Sequence, residues 1–176
     1  MQTNETTQQQ REFRDAMANL SAGVNIVTTN GPRGRAGITV SAACSVTDTP
    51  PTMLVCVNRS SRSHDVFTGN ERVCVNVLGP GQQEVARAFA GGVPPEERFA
   101  AGGDVWDHTR DGVPVLKGAA ASVVGRITGT ARRGSHTVMF VEAERVVLGE
   151  EDAGGLVYFR RRFHSLPASL PASLTA

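Results

Sequence analysis

The sequence predicts a mainly β domain with short helical insertions, whose strands form an antiparallel barrel. Runs of β-branched and apolar residues, separated by turn residues, indicate about six or seven strands. Two or three helix-like stretches do not alternate regularly with these strands, which argues against a doubly wound parallel sheet. The chain also lacks the glycine fingerprints of dinucleotide-binding and P-loop domains, G-x-G-x-x-G and G-x-x-x-x-G-K-[ST].

Each element is predicted from its own local pattern. Apolar residues recur at helical spacing between 10 and 20, which predicts a short amphipathic helix there. Capping hydroxyls and a Gly-Asn ending predict a helix within 59–70, and another is expected at 82–90, before a long loop that runs through about Gly112. Strands are predicted at 23–29, 36–47, 52–58, 72–78, 119–133, 135–149 and 155–163.

The length of 176 residues fits one domain that buries roughly 70% of its unfolded surface. We expect this domain to span 10–164. Residues 1–9 are polar and are predicted to be disordered. Residues 165–176 repeat the letters SLPA, which predicts a flexible tail biased toward proline and serine.

Charge and hydropathy exclude several classes of partner. The net charge of +1 gives no long-range attraction to nucleic acid or to a membrane surface. Arginine runs at 132–133 and 160–162 indicate either local anion contacts or a solvated face. No signal peptide and no apolar run of membrane-spanning length is visible, so we expect a cytoplasmic protein without a membrane partner.

The cysteines and histidines do not predict a metal site. Three cysteines without a C-x-x-C pair, all inside apolar runs, predict buried reduced thiols, and Cys44 is expected to be a packed thiol rather than a nucleophile. The histidines are scattered, so no metal is expected. These residues are Cys44, Cys56, Cys74, His64, His108, His136 and His164.

The stretch 41–45 carries small residues where a strand normally places bulky core side chains. One interpretation is close packing against another strand or subunit. The other is that a planar heterocycle lies against this strand and is bound by its backbone. The segment 58–64, NRSSRSH, follows the next strand and is either an ordinary helix cap or a phosphate site made of hydroxyls, amides and arginines.

Several stretches in the same order resemble the short-chain flavin reductase family: FRDAMANLSAGVNIVTT, GITVSAACSVTDTPPTMLVCVNRSS, RVCVNVL, FAG and GLVYFRRRFH. The resemblance runs from about Phe13 to His164 and is strongest to the reductase components of two-component monooxygenases. It implies a split β-barrel and a homodimer that reduces free FAD or FMN with NADH. The reduced flavin would then pass by diffusion to a separate flavin-dependent aromatic monooxygenase.

The resemblance also implies roles for individual residues. Flavin would contact Thr39, Val40, Ser41, Ala42, Cys44, Ser45, Asn58, Arg59, Ser60, Ser61, Ser63, Phe89, Ala90 and Gly91. NADH would contact His136, Tyr158, Phe159, Arg160 and Arg161, with His136 facing the nicotinamide as the catalytic residue. Many family members carry Gly-Asp-His at this histidine, whereas this chain has Ser135 in the position of the aspartate.

Alternatives remain open for these residues and for the function. His136 is otherwise an exposed loop histidine, and YFRRRF (158–163) is otherwise a strand end with a solvated basic run. Trp106 either belongs to the core or closes over a substrate site. A similar barrel could also be a non-catalytic module that binds flavin or haem, or an oxidase with a fixed flavin. His136 together with YFRRRF favours the reductase, because a binding module has no need of them.

Overall fold

A computed structural model describes residues 6–150 and 153–168, and it confirms a mainly β fold with helical insertions. The helices are α1 (Gln8–Met17), α2 (His64–Asn70) and α3 (Gln83–Arg87), with a π-helical turn at Ala88–Gly92 and a 3₁₀ turn at Arg98–Ala100. The strands are β1 (Ala22–Gly23), β2 (Asn25–Thr29), β3 (Ala36–Val40), β4 (Ala43–Asp48), β5 (Pro51–Asn58), β6 (Arg72–Val77), β7 (Trp106–His108), β8 (Pro114–Leu116), β9 (Ala121–Arg133), β10 (His136–Leu148), β11 (Gly155–Phe159) and β12 (Arg162–Leu166).

The main sheet is closed into a barrel by a very short connection. Seven antiparallel strands lie in the order β3–β2–β6–β9–β10–β5–β4, so β3 and β4 are its two edges. Only Ser41 and Ala42 separate these edges in the chain, which limits the adjoining strand ends to a separation of about 11 Å. The sheet therefore curls and brings its two edges close together without pairing them. Because β3 pairs only with β2 and β4 only with β5, one seam stays open, as a split β-barrel requires.

Two of the predicted strands are each interrupted in the structure. The strand predicted at 36–47 divides at Ser41–Ala42, because the chain crosses there from one sheet edge to the other. The strand predicted at 155–163 is a hairpin of β11 and β12. Arg160 and Arg161 form its two-residue turn, with φ of 48° and 62°, the left-handed conformation that matches the twist of a tight hairpin.

Other differences concern boundaries. Helix α1 begins at Gln8, inside the segment predicted to be disordered, and β12 continues to Leu166, inside the predicted tail. The short strands β7 and β8 pair with each other in and just after the expected loop. The rest of the two predicted flexible ends, 1–5 and 169–176, lies outside the described residues. Among the described residues, none of the helices combines the length and hydropathy that a membrane span requires.

The core lies on both faces of β2, which is buried along its whole length. On one face Val27 packs inside the barrel with Phe67 and Met139. On the other face Ile26 packs with Phe89 and Trp106, beneath α3 and the β7–β8 pair. A three-stranded sheet, β1–β11–β12, extends the side of the core that contains Ile26. The backbone N of Leu156 donates to the carbonyl of Leu78, and the carbonyl of Leu156 accepts from the backbone N of Val24.

Gly37 in β3 lets the Phe89 ring pack against the backbone of this strand. A Cβ built on Gly37 would lie 2.3 Å from Cε1 of Phe89, so the aromatic ring rests directly on the backbone of this strand. The Phe89 ring also contacts the rings of Phe99 and Trp106, at centroid distances of 5.0 and 5.3 Å. Trp106 therefore belongs to the core, which answers the question that the sequence left open.

We predict that Gly37→Ala lowers the free energy of unfolding by about 1–3 kcal/mol, because either the Phe89 ring or β3 must move to accommodate the methyl group. Urea denaturation followed by circular dichroism measures this change. Gly23→Ala is the matched control, since a Cβ at Gly23 meets nothing within 4 Å. Equal stabilities of the two variants would contradict the packing of Phe89 on Gly37.

Candidate functional site

The serine-rich segment after β5 is a tight turn stabilised by its first residue. Oδ1 of Asn58 accepts hydrogen bonds from the backbone N of Ser60 at 3.0 Å and from its Oγ at 2.9 Å. The backbone N of Ser61 donates to the carbonyl of Asn58 at 3.0 Å. Because Asn58 holds the turn, Ser61 and Ser63 are free to face the cavity described next, and Ser63 is almost fully buried.

The first cavity, here called the serine–arginine cavity, has a volume of about 470 Å³. It lies between the serine-rich turn, the π-helical turn and the 3₁₀ turn. Its lining residues are Ser61, Arg62, Ser63, Gly91, Gly92, Val93, Pro94, Pro95 and Arg98. Hydroxyl and guanidinium groups in one cavity favour an anionic ligand.

The second cavity, here called the hairpin cavity, has a volume of about 760 Å³ and lies between the end of β3 and the β11–β12 hairpin. Its lining residues are Val24, Thr39, Ser41, Arg87, Ala90, Gly92, Tyr158, Arg161, Arg162 and Phe163. Three residues predicted to bind flavin (Thr39, Ser41 and Ala90) thus share a cavity with two predicted to bind NADH (Tyr158 and Arg161).

Gly92 lines both cavities, so they adjoin at the π-helical turn, and together we call them the candidate groove. Gly91, just before it, has φ of 109°, a conformation that favours glycine. Both volumes fall within the usual range for ligand sites, about 300–1,000 Å³. The serine–arginine cavity is the polar end of the groove, and small residues form part of the wall of the larger hairpin cavity.

The charged side chains that line the groove are all positive. Five arginines and no acidic residue occur among its lining residues in the described chain. Two of the arginines have partners: Arg161 pairs with Asp15, and Arg87 lies over the ring of Phe163 at 5.4 Å. Within residues 6–150 and 153–168, no group of three or more His, Cys, Asp or Glu side chains is arranged to hold a metal ion.

Helix α1 contacts the groove through the hairpin turn. The backbone N of Arg160 donates to the carbonyl of Ala18 at 2.7 Å, and its Nε donates to Oδ1 of Asn19 at 3.1 Å. Arg161 donates to the carboxylate of Asp15. The end of α1 therefore fixes the conformation of the two arginines that the sequence predicted to contact NADH, although Arg160 itself does not line the groove.

Phe89 lies behind the groove rather than in it. Its side chain is fully buried in the core, and the neighbouring Ala90, Gly91 and Gly92 supply the groove wall. A buried aromatic cluster therefore packs beneath the π-helical turn. Contact between flavin and the side chain of Phe89 is not available in this conformation, and only its backbone can take part.

His136 lies outside both cavities, at the exposed start of β10. It is paired across the sheet with Asn58, and its Nδ1 is 2.9 Å from Oγ of Ser135. Ser135 thus contacts the imidazole from the position where many family members have aspartate. Within one chain the structure brings His136 close to the serine-rich turn and does not bring it together with Tyr158 and Arg161 in one cavity.

Several other predicted flavin residues do not line the groove in the single chain. Arg59 faces the β9–β10 turn, where its Nη2 donates to the carbonyl of Gly134 at 2.6 Å. Val40 is buried inside the barrel. The remaining ones, along with Phe159 from the NADH set, are not among the lining residues either: Ala42, Cys44, Ser45, Asn58 and Ser60.

The expectation that all three cysteines are buried is wrong for Cys44, which is exposed. It lies on β4, an edge strand that is largely open to solvent. Cys56 is half-buried, and its pKa is raised by burial and by the nearby Cys44. Cys74 lies in the central strand β6, where burial raises the pKa of its thiol to about 12 despite hydrogen bonds from Ser122 and Thr28 that lower it.

Ten groove residues are not among those to which the resemblance assigned a contact with flavin or NADH. They are Val24, Arg62, Arg87, Gly92, Val93, Pro94, Pro95, Arg98, Arg162 and Phe163. Arg62 lies between Ser61 and Ser63, and Arg162 follows Arg161, so their positions next to predicted residues were a usable signal. Arg98 follows a Pro-Pro-Glu-Glu stretch in a loop, and no local pattern relates it to the serine-rich turn.

The fold and the groove define a split-barrel protein with an acid-free, arginine-rich ligand site, and comparison with known proteins agrees. Residues 17–167 match the flavin reductase like domain family. The chain is 51% identical over 159 residues to the 4-hydroxyphenylacetate 3-monooxygenase reductase component of Pseudomonas aeruginosa, covering 89% of this chain and 92% of that protein. It is 49% identical over 157 residues to the FMN reductase (NADH) RutF of Variovorax paradoxus, covering 89% and 86% of the two chains.

Solved structures give the same result. BorF, the flavin reductase component of a bacterial two-component tryptophan halogenase, superimposes with a TM-score of 0.81 at 26% identity, covering 89% of this chain and 98% of BorF. The chain belongs to the flavin reductase-like domain family. The resemblance inferred from the sequence, the split-barrel fold and the prediction of an oxidoreductase are therefore confirmed.

Proposed function

We propose that this protein is an NADH-dependent reductase of free FAD or FMN that supplies reduced flavin to a separate flavin-dependent aromatic monooxygenase. The observation that carries the proposal is the hairpin cavity, which is lined both by residues predicted for flavin and by residues predicted for NADH. Two relatives support it by their names: one is a monooxygenase reductase component, and the other is an FMN reductase (NADH).

The residues of the groove fit a flavin. Ser41, Ala90 and Gly92 leave the hairpin cavity open for a flat ring, and bulky side chains in their place would fill it. Thr39 stabilises this wall, because its Oγ1 donates to the carbonyl of Ala86 at 2.7 Å and joins β3 to α3. The polar end at Ser61 and Ser63 suits a phosphate on the ribityl chain.

The chemistry demands positioning more than acid–base catalysis. When bound, flavin supplies an acceptor for the hydride that leaves the nicotinamide ring. The chain must therefore hold two planar rings in contact, roughly 3–3.5 Å apart, and keep water out of the space between them. Tyr158, with Phe163 packed 5.2 Å from its ring, and Arg161 form the wall on which we place NADH. Arginines near the flavin would stabilise the negative charge that develops on reduction.

We further propose that the protein acts as a homodimer. Apolar side chains on α1 and just after it are not covered by the described part of the chain, since Phe13 is 63% exposed and Leu20 64% exposed. Strand β4 is an open edge that carries the exposed Val46. A second copy that covers these surfaces would remove both an apolar patch and an unpaired strand edge. The dimer would also complete the surroundings of Cys44, Ser45 and His136.

We place this reaction in the cytoplasm. The three cysteines are free thiols, which suits a reducing compartment. The partner monooxygenase would receive reduced flavin by diffusion, because a groove open to solvent allows the flavin to leave. No nucleic acid or membrane partner is part of the proposal.

The first prediction concerns the reaction itself. The purified protein should oxidise NADH only when free flavin is added, and it should use NADH better than NADPH, because Arg87 and Arg161 already have partners and are not held for a 2′-phosphate. Absorbance at 340 nm with FAD, FMN or riboflavin measures the rate. No oxidation with any flavin would overturn the proposed function. Oxidation without added flavin, by a protein that is yellow as purified, would indicate a fixed flavin instead.

The second prediction is that light scattering at micromolar concentration gives the mass of a dimer. Replacing Phe13 and Leu20 together by serine should weaken the dimer, because these exposed apolar side chains lie on α1 and just after it. The same double change leaves the barrel core intact, so circular dichroism should be unaltered. A monomeric wild-type protein would contradict the proposed assembly.

The third prediction concerns His136, which we propose faces the nicotinamide. His136→Ala should lower kcat/KM for NADH several-fold, the effect of losing one positioning hydrogen bond worth about 0.5–1.5 kcal/mol. Flavin affinity, followed by fluorescence quenching, should change little. The neighbouring turn does not depend on the imidazole, because Arg59 contacts the backbone carbonyls of Gly134 and Ser135.

The control for His136 is Ser135→Ala, which removes the hydroxyl at 2.9 Å from Nδ1 but keeps the imidazole. Its effect on kcat/KM for NADH should be smaller than that of His136→Ala. A His136→Ala protein that lost flavin affinity and kept its NADH kinetics would show that this histidine serves the flavin site. An unaltered protein would make His136 an ordinary exposed histidine.

A further inference from the structure

Asp15 lies in the last turn of α1, where a carboxylate does not help the helix. Helix α1 ends at Met17, and the partial negative charge at the C-terminus of a helix disfavours an acidic side chain. The helix is stabilised instead at its start, where Thr7 and Gln10 form a capping box. The position of Asp15 is therefore explained by a partner outside the helix.

That partner is Arg161, in the turn of the β11–β12 hairpin, whose Nη2 donates to Oδ1 of Asp15. Asn19, just after the helix, reinforces the contact. Its Nδ2 donates to the carbonyl of Asp15 at 3.0 Å, and its Oδ1 accepts from Nε of Arg160 at 3.1 Å. Phe13 is two residues from Asp15, about 200° around the helix axis, so the apolar side proposed for the dimer differs from the side that meets the hairpin.

Three arginines line the hairpin cavity, and they differ in what holds them. Arg161 is paired with the carboxylate of Asp15. Arg87 lies over the ring of Phe163 at 5.4 Å. Arg162 has no carboxylate within ion-pair distance among residues 6–150 and 153–168. Within that part of the chain, Arg161 is thus the one arginine of this cavity whose charge is neutralised by an acidic side chain.

We propose that Asp15 is a specificity-determining residue that makes the enzyme prefer NADH to NADPH, and that it acts through Arg161. NADPH differs from NADH only by a 2′-phosphate, and arginine is the side chain best suited to bind such a group. Because Asp15 already holds the guanidinium, a 2′-phosphate has to compete with a carboxylate for it, at a cost that NADH does not bear. Arg162 stays available to the pyrophosphate that both dinucleotides share. This inference rests on the proposed function and on the placement of NADH in the hairpin cavity.

The experiment measures kcat/KM for NADPH and for NADH at saturating FMN, in wild type and in Asp15→Asn, which keeps the size of the side chain and removes its charge. The ratio of NADPH to NADH should rise about two- to fivefold, the range expected for an exposed ion pair, mainly through the KM for NADPH. The rise should shrink at high salt, because both side chains of the pair are more than half exposed. The hairpin turn should keep its position, since Arg160 still donates to Ala18 and Asn19.

Two controls keep the result specific. Glu12→Gln makes the same change in net charge on the same helix, at a residue that accepts a hydrogen bond from Gln8 at 2.7 Å and lines neither cavity. It should leave the ratio unaltered. The second control is Asp15→Asn in an Arg161→Gln background. There the substitution of Asp15 should no longer raise the ratio above that of Arg161→Gln alone, because the group through which Asp15 acts is gone.

Three outcomes would overturn the inference while the reductase function stands. One is a wild-type enzyme with equal kcat/KM for NADH and NADPH. Another is an Asp15→Asn protein whose ratio is unaltered, or is raised no more than that of Glu12→Gln, which would leave Asp15 as a purely structural contact of the hairpin. The third is a rise that persists in the Arg161→Gln background, which would show that Asp15 does not act through this arginine. Failure of the proposed function has a different signature, namely no oxidation of either dinucleotide by wild type with any flavin.

Discussion

The two-residue connection between β3 and β4 is the constraint on which the rest of the structure depends. Ser41 and Ala42 must bring the two edges of a seven-stranded sheet together, so the sheet closes into a barrel and a seam remains where no ladder can form. The end of β3 and the connection lie at this seam and line the hairpin cavity through Thr39 and Ser41. Small residues let the chain cross there between the two edges, and they leave the backbone accessible from the hairpin cavity.

Gly37 connects this closure to the polar end of the groove. Its missing side chain lets Phe89 support the π-helical turn, and its carbonyl holds Ser63 and Arg98 together. One residue of β3 therefore positions both the wall of the hairpin cavity and the polar groups of the serine–arginine cavity. The stability of the aromatic core and the geometry of the groove are coupled at this position, so changes that disturb the packing of Phe89 are expected to disturb ligand binding as well.

Much of the fold could be predicted from local sequence. Strands β6, β9 and β10, for example, have the β-branched, alternating composition that is typical of strands. The interruption between β3 and β4 at Ser41–Ala42 could not be predicted in this way. Neither proline nor glycine marks it, and it becomes visible only when β3 and β4 pair with different strands. The hairpin turn at Arg160–Arg161 is similarly hidden, because arginine seldom adopts a positive φ. Within the site, motifs predicted Ser61, Ser63 and Ala90, whereas Arg98 reaches the groove only through long-range folding.

Backbone amide hydrogen exchange of the protein with and without saturating FMN tests the central claim most directly, because it maps the bound ligand without any substitution. If the barrel seam and the π-helical turn form the flavin site, FMN should slow exchange in 37–42, 60–64 and 88–93. Exchange in 145–148, the end of β10, whose residues line neither cavity, should be unaltered. Slowing confined to the β9–β10 turn around His136, with none in 37–42 or 88–93, would contradict the account and place the flavin elsewhere on the barrel.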